Sequence, residues 1–193
     1  GEQFDGRQFI EQAVASGAVA VLAEPPVEGF VDDIPIPLIE VPELRAEVGQ
    51  LAARFYGHPT ANQHVIGVTG TNGKTTTSRL VAQLAGLQGL RCGVIGTLGS
   101  SIVNEVTEAV NTTPDAVSLQ RQLAEWENDD VQMVSMEVSS HALVRGRVTG
   151  VNFSTAVYTN LSHDHLDYHE NLENYWLAKE RLFTEVISND RKI

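Results

Sequence analysis

Gly67-Val68-Thr69-Gly70-Thr71-Asn72-Gly73-Lys74-Thr75-Thr76-Thr77 is the stretch on which the reading of this chain turns. An apolar run over 64–68 enters it, and a segment with Leu80, Leu84 and Leu87 on one helical face leaves it. Strand, glycine-rich turn and helix in that order are the setting of a phosphate-binding loop. The first turn of a helix has N–H groups without intrahelical acceptors and carries the positive end of the helix dipole, so it attracts phosphate oxygens. Gly70 and Gly73 let the backbone curl around such a ligand without a side chain in the way. Lys74 can reach the terminal phosphates of a nucleoside triphosphate, and the Thr75 hydroxyl can hold Mg2+. The strict spacing asks for glycine at 68, where this chain has Val68; its glycine is Gly67 instead.

Working outward, the chain has 193 residues, 42% of them hydrophobic, enough for one large domain or two small ones with a real core. A formal net charge of −12, with no basic cluster, argues against a nucleic-acid partner, whose phosphates would be repelled. The single Cys92 cannot form an internal disulfide, which fits a reducing cytoplasm. There is no signal-peptide pattern and no apolar run long enough to span a bilayer, so no membrane insertion is expected. The chain opens on Gly rather than Met, and 191–193 read as the start of a strand; it is expected to be a piece of something longer.

Before the loop, Phe9, Ile10, Ala13 and Val14 predict a helix over 6–16 that Gly17 stops. Short strands are expected at 18–23 and 38–41, with a Pro-, Gly- and acid-rich loop between them. Pro42 then opens a helix with Leu44, Val48, Leu51 and Phe55 on its apolar face. The segment 57–62 breaks the pattern and is the expected domain boundary. Beyond it, strands at 64–69, 92–96, 131–138 and 153–158 alternate with helices at 74–88, 115–127 and 171–188. That alternation implies a mostly parallel sheet with helices on both faces, and ligands bind beyond the C-terminal strand ends of such sheets.

Three further segments fall at those ends. Glu137 closes an apolar strand, where its carboxylate can bind Mg2+ directly or through water. Residues 163–169 pack three His and two Asp into seven positions. A zinc site competes for that cluster, but one cysteine and a nearby phosphate loop favour a group that completes a Mg2+ site. Lys179 lies amid the apolar stripe Leu172, Tyr175, Trp176, Leu182, Phe183 and Val186. Burial there disfavours its charged form, and a neutral amine can add CO2 to give a carbamate, an anionic metal ligand.

Together, 70–76, Asn111-Thr112-Thr113-Pro114-Asp115, the Glu-Val-Ser-Ser-His-Ala-Leu run at 137–143, Arg147, 160–169 and Lys179 resemble the Mur ligases. The loop is shared with folylpolyglutamate synthetases. The 111–115 and 137–143 stretches are more specific, to the branch that extends a UDP-muramoyl-dipeptide by one amino acid. The likeness covers essentially the whole chain, including Phe4-Asp5-Gly6.

The resemblance implies an α/β protein: a small N-terminal α/β domain, then a P-loop-type, mostly parallel sheet flanked by helices. Residues 1–60 would be part of a UDP-MurNAc-binding domain and 61–193 part of the central ATP-binding domain, with the amino-acid-binding domain absent. Gly70, Thr71, Asn72, Gly73, Lys74, Thr75 and Thr76 would bind ATP. Asn111, Thr112, Thr113, Ser139, Arg145 and Arg147 would hold the UDP-MurNAc-dipeptide, with Glu2, Gln3 and Phe4 aligned to a uracil-contact loop. That loop commonly reads His-Gln-Ala, and position 145 is often Gln, so this chain departs at 2, 4 and 145. Thr75, Glu137, His165 and Lys179 would hold Mg2+, with Lys179 carbamylated; Lys74, Lys179 and His165 would be catalytic. The implied reaction adds meso-diaminopimelate to UDP-MurNAc-L-Ala-D-Glu with ATP, through an acyl phosphate, in cytoplasmic peptidoglycan precursor synthesis, by a monomeric enzyme. L-lysine as third substrate, or a ligase of the folylpolyglutamate or cyanophycin type, are the alternatives.

Overall fold

The computed structural model describes residues 5–30, 34–102 and 113–187. The chain divides into two compact units, Gly1–Glu47 and Val48–Ile193. The division falls inside a helix, Leu44–Phe55, and the segment 57–62 lies within the second unit.

In the first unit a 3-10 turn, Gly6–Phe9, leads into α1 (Ile10–Ala15), so the single helix expected over 6–16 is split. Asp5 caps the turn and pairs with Arg7, whose guanidinium lies over the Phe30 ring. Two short strands, β1 (Val21–Ala23) and β2 (Leu38–Glu40), pair in parallel. The helix that follows, α2 (Leu44–Phe55), begins two residues after Pro42 because Glu43 takes a positive φ.

The second unit is built on one sheet of β3 (His64–Thr69), β4 (Cys92–Gly96), β5 (Gly99–Ile102), β6 (Met133–Glu137) and β7 (Phe153–Tyr158). Its order is β5-β4-β6-β3-β7, parallel throughout except for β5, which runs antiparallel to β4. Central β3 pairs on both sides and is covered on both faces, hence its nearly continuous apolar sequence. The hairpin strand β5 has no counterpart in the expectation, because Gly-Ser-Ser-Ile carries little strand signal.

Helices α3 (Lys74–Leu87) and α4 (Ala116–Asn128) contribute to separate apolar clusters. On α4, Leu119, Leu123 and Trp126 join Val65, Ile95, Met136 and Phe153. On α3, the expected face is reversed: Leu80, Leu84 and Leu87 are 52%, 62% and 81% exposed, while Ser78, Ala82 and Ala85 are buried. Both triplets have the same i, i+4, i+7 spacing, so periodicity does not separate them. The short side chains face inward because this helix packs close upon β4 and β6. On α2 the expected face is corrected in part: Leu51 and Phe55 are exposed, Leu44 and Val48 are half-buried, and Gly49, Ala52 and Ala53 are buried. A Cβ at Gly49 would collide with the Thr149 carbonyl, so the approach there is backbone to backbone.

Past β6 come α5 (Ser140–Val144), α6 (Leu166–His169) and α7 (Leu172–Arg181). The helix expected over 171–188 stops at Arg181 and continues as a π-helical turn, Leu182–Val186. Within its stripe, Tyr175 and Leu182 are buried but Trp176 is 38% exposed. Neither α5 nor α6 is expected from the sequence; five and four residues are too few to display a helical period. The parallel strands β3, β6 and β7 end side by side at Thr69, Glu137 and Tyr158, so the loops leaving them share one edge.

Candidate functional site

At the end of β3 the chain turns through Gly70 (φ +140°) and Gly73 (φ +86°) into α3. Gly70 is required twice over: its φ is rarely adopted by other residues, and a Cβ would fall on Thr159 Oγ1. Gly73 caps the helix with no side-chain bond, leaving first-turn N–H groups without intrahelical acceptors. The turn leans on the loop leaving β7: Thr71 N donates to Asn160 O at 2.9 Å, and Ser162 N donates to Thr71 Oγ1 at 2.9 Å.

Two lysines converge on this turn. Lys74 Nζ donates to Gly70 O at 2.9 Å and to Thr71 O at 2.8 Å. Lys179 Nζ, from α7, donates to the same Gly70 O at 2.9 Å and lies 4.2 Å from the Tyr175 ring centroid. Burial lowers the Lys74 pKa, against the opposing pull of Glu137 and Asp164. Lys179 is only 1% exposed. Burial, helped by the neighbouring Lys74 charge and opposed by Asp164, brings its pKa down to about 7. Thr75 sits on the first turn of α3, its carbonyl accepting from Ser78 Oγ, and Thr76 follows on the exposed side.

Glu137 is 1% exposed at the end of β6. Thr97, in the turn between β4 and β5, holds both of its oxygens: Thr97 N donates to Oε1 at 3.0 Å and Thr97 Oγ1 to Oε2 at 3.1 Å. A Cβ at Gly96 would strike Oε1, so this turn is shaped around the carboxylate. Thr113, buried, donates from Oγ1 to the Glu137 carbonyl at 3.0 Å, and its own carbonyl accepts from Arg147 at 3.1 Å. Ser139 caps α5 by accepting from Ala142 N. The Arg145 guanidinium lies 5.4 Å from the Tyr168 ring centroid.

His165 takes a left-handed φ of 51° at the start of α6, and its N–H is held by Asp164 Oδ1 at 3.0 Å. Its ring meets His141 edge-on at 5.0 Å and Tyr175 at 6.2 Å, so His165 and Lys179 face the same tyrosine. His169 is tied to Ser140 by a 2.9 Å contact from Nε2 to Oγ. Burial lowers the pKa of both His141 and His169.

Of the expected residues, 70–76, Glu137, Ser139 and His165 lie at the C-terminal ends of parallel strands or in the segments that leave them, Lys179 lies on α7, and Arg145 and Arg147 lie just past α5; Thr113, ahead of α4, reaches the end of β6 through its bond to the Glu137 carbonyl. Glu2, Gln3, Phe4, Asn111 and Thr112 lie outside the described residues. Sequence reasoning passed over Thr97, which holds Glu137, and gave no role to Asn160, at the head of the matching 160–169 stretch, or to Thr159 before it; both brace the turn. It also gave no role to Asp164, whose charge acts on both lysines. Asp164 lay in the 163–169 cluster and could have been singled out; Thr97 carried no local signal.

These groups fit a nucleotide phosphate and a hard cation. Both ammonium groups are hydrogen-bonded to backbone carbonyls rather than to carboxylates, and the turn has room for no side chain at Gly70. Glu137 offers buried carboxylate oxygens of the kind Mg2+ takes. Among the described residues no three His, Cys, Asp or Glu side chains group to hold a metal; the expected Mg2+ set uses only two such residues, Glu137 and His165.

Comparison with known proteins matches the Mur ligase middle domain to residues 68–193. A UDP-N-acetylmuramoyl-L-alanyl-D-glutamate–2,6-diaminopimelate ligase of Geobacillus thermodenitrificans is 48% identical over 182 residues, covering 94% of this chain and 36% of that protein. Its namesake in Haemophilus influenzae is 44% identical over 192 residues, covering 96% of this chain and 39% of that one. A solved structure of a ligase of the same name superposes with a TM-score of 0.78 at 40% identity, over 92% of this chain and 35% of its own. The chain therefore spans less than two fifths of the length of these relatives.

Proposed function

The chain belongs to the Mur ligase family, and from that premise we propose that it is the nucleotide-binding part of an ATP-dependent ligase that joins meso-diaminopimelate to UDP-MurNAc-L-Ala-D-Glu. The observation that carries this is the convergence of Lys74 and Lys179 on the Gly70 carbonyl, with buried Glu137 in electrostatic reach of Lys74. The names of the relatives, at 40–48% identity, support diaminopimelate as the third substrate. Residues 1–60 are assigned to a UDP-MurNAc-binding domain and 61–193 to the central domain.

When bound, ATP supplies the phosphoryl group that activates the D-Glu γ-carboxylate, and Mg2+ offsets phosphate charge. The chain's own part is positioning and charge. First-turn N–H groups of α3 and 70–76 cradle the phosphates, and Lys74 leaves its two carbonyls to meet them. Glu137, Thr75, His165 and a carbamylated Lys179 are the groups assigned to Mg2+. Thr113, Ser139, Arg145 and Arg147, with Asn111, Thr112, Glu2, Gln3 and Phe4, are assigned to the UDP-linked dipeptide. A cytoplasmic location and a monomeric state are assigned on the family likeness. Among the described residues no helix is long and apolar enough to cross a membrane.

The test is phosphate release by the complete protein with ATP, Mg2+ and UDP-MurNAc-L-Ala-D-Glu, with meso-diaminopimelate or L-lysine in parallel. Release that needs the dipeptide and meso-diaminopimelate is expected. Release with L-lysine alone would correct the third substrate, and release only with a folate acceptor would overturn the ligase assignment.

A further inference from the structure

We propose that Thr159 and Asn160 are positioning residues for the phosphate loop, clamping Asn72 at its crest so that the cradle is formed before nucleotide arrives. The inference rests on the nucleotide-binding reading above. Asn160 grips one residue in both directions: its Oδ1 accepts from Asn72 N at 3.0 Å and its Nδ2 donates to Asn72 O at 3.1 Å. A side-chain amide has the donor–acceptor pattern of a peptide group, so it satisfies a backbone N–H and C=O together. Thr159 Oγ1 donates to the same Asn72 O at 2.6 Å. The clamp continues through the backbone, Thr71 N to Asn160 O and Ser162 N to Thr71 Oγ1.

Asn72 is exposed, and its own side-chain amide donates to Ser162 Oγ at 3.4 Å, a further contact with the same loop. A glycine-rich crest left loose would have to be ordered at the moment of binding, at a cost in affinity; a crest already held does not. The Asn72 N–H is turned toward Asn160, so neither clamp residue needs to touch the phosphates to act. Both come from the loop that leaves β7, the strand beside β3, and that loop runs on through Ser162 to His165. The clamp therefore sets the nucleotide loop and the histidine segment at a fixed spacing.

The experiment uses the complete protein and titrates ADP with Mg2+ by calorimetry, alongside ligase kinetics and thermal melting. Asn160→Ala should raise the ADP Kd and the KM for ATP about tenfold, the effect of two lost hydrogen bonds. The KM for the UDP-linked dipeptide and the melting temperature should stay close to the parent's; a merely structural role would move all of them together. Thr159→Val, nearly isosteric, should weaken ADP in the same direction, and Thr159→Ser should restore it. If Asn160→Ala fails to fold, the Thr159 pair decides. Parental ADP affinity in both Asn160→Ala and Thr159→Val overturns the clamp alone. A parent protein that binds no ADP overturns the nucleotide reading and the clamp with it.

Discussion

A lysine buried to 1% exposure is costly as a cation, and Lys179 meets that cost by giving up its proton near pH 7. The unfolded chain keeps that proton up to about pH 10.5. Between about pH 7 and 10.5 the unfolded state binds more protons, so the Lys179 contribution to stability rises with pH, on the order of 1 kcal/mol per unit. Urea unfolding across that window should show this slope in the parent and its loss in Lys179→Met; equal slopes would mean the amine is not titrating in this range. If the amine is the precursor of a carbamate, Lys179→Ala in the complete ligase should be inactive and partly rescued by short carboxylic acids. Full activity without rescue would remove the carbamate from the mechanism. Lys74 bonds to Gly70 O and Thr71 O, contacts that a phosphate can replace. Lys74→Ala should abolish turnover, and near-normal ATP use would sink the loop assignment. Gly70→Ala forces a Cβ onto Thr159 Oγ1 at a φ of +140°. It should cost about 1–3 kcal/mol in urea unfolding and abolish ADP binding by calorimetry.

At the scale of elements, α2 and α3 share a feature: their fully buried positions are small residues, while Leu51, Phe55, Leu80, Leu84 and Leu87 are exposed. Close approach to backbone and sheet favours Gly49, Ala52 and Ala53 on one helix and Ser78, Ala82 and Ala85 on the other. Hydrophobic pattern alone selects the leucines, because burying a leucine is the stronger driving force where there is space. Here there is none. Ala82→Leu should destabilise the chain by about 1–3 kcal/mol through overpacking, whereas Leu87→Gln should change it by no more than about 0.5 kcal/mol. Denaturant unfolding measures both, and the reverse ranking would show that the leucine face is the buried one. Boundaries of β3, β4 and α3 were legible because each joins a long apolar or periodic run to a Gly or Lys-Thr signal. The short α5 and α6 were not, since tertiary contacts such as His169 to Ser140 hold them rather than local periodicity.

For the whole molecule, the family match covers 68–193, and the chain amounts to little more than a third of its relatives. The chain alone is therefore expected to bind ADP in calorimetry yet to release no dipeptide-dependent phosphate. Release by the chain alone would show that the remaining two thirds of the relatives' length is dispensable.

Sequence by itself determined the class and the centre of chemistry here. Alternating apolar runs and helices leave only a mostly parallel sheet, and Gly70, Gly73, Lys74 and Thr75 announce their conformation and charge locally. Only the tertiary structure decided which neighbours those residues acquired. Lys179 stands 109 residues from Gly70 and bonds its carbonyl; Thr97 stands 40 residues from Glu137 and holds its carboxylate; Asn160 stands 88 residues from Asn72 and grips its backbone. Local sequence sets torsions and periodicity, but such pairings arise only when strand order brings β4, β6, β3 and β7 edge to edge.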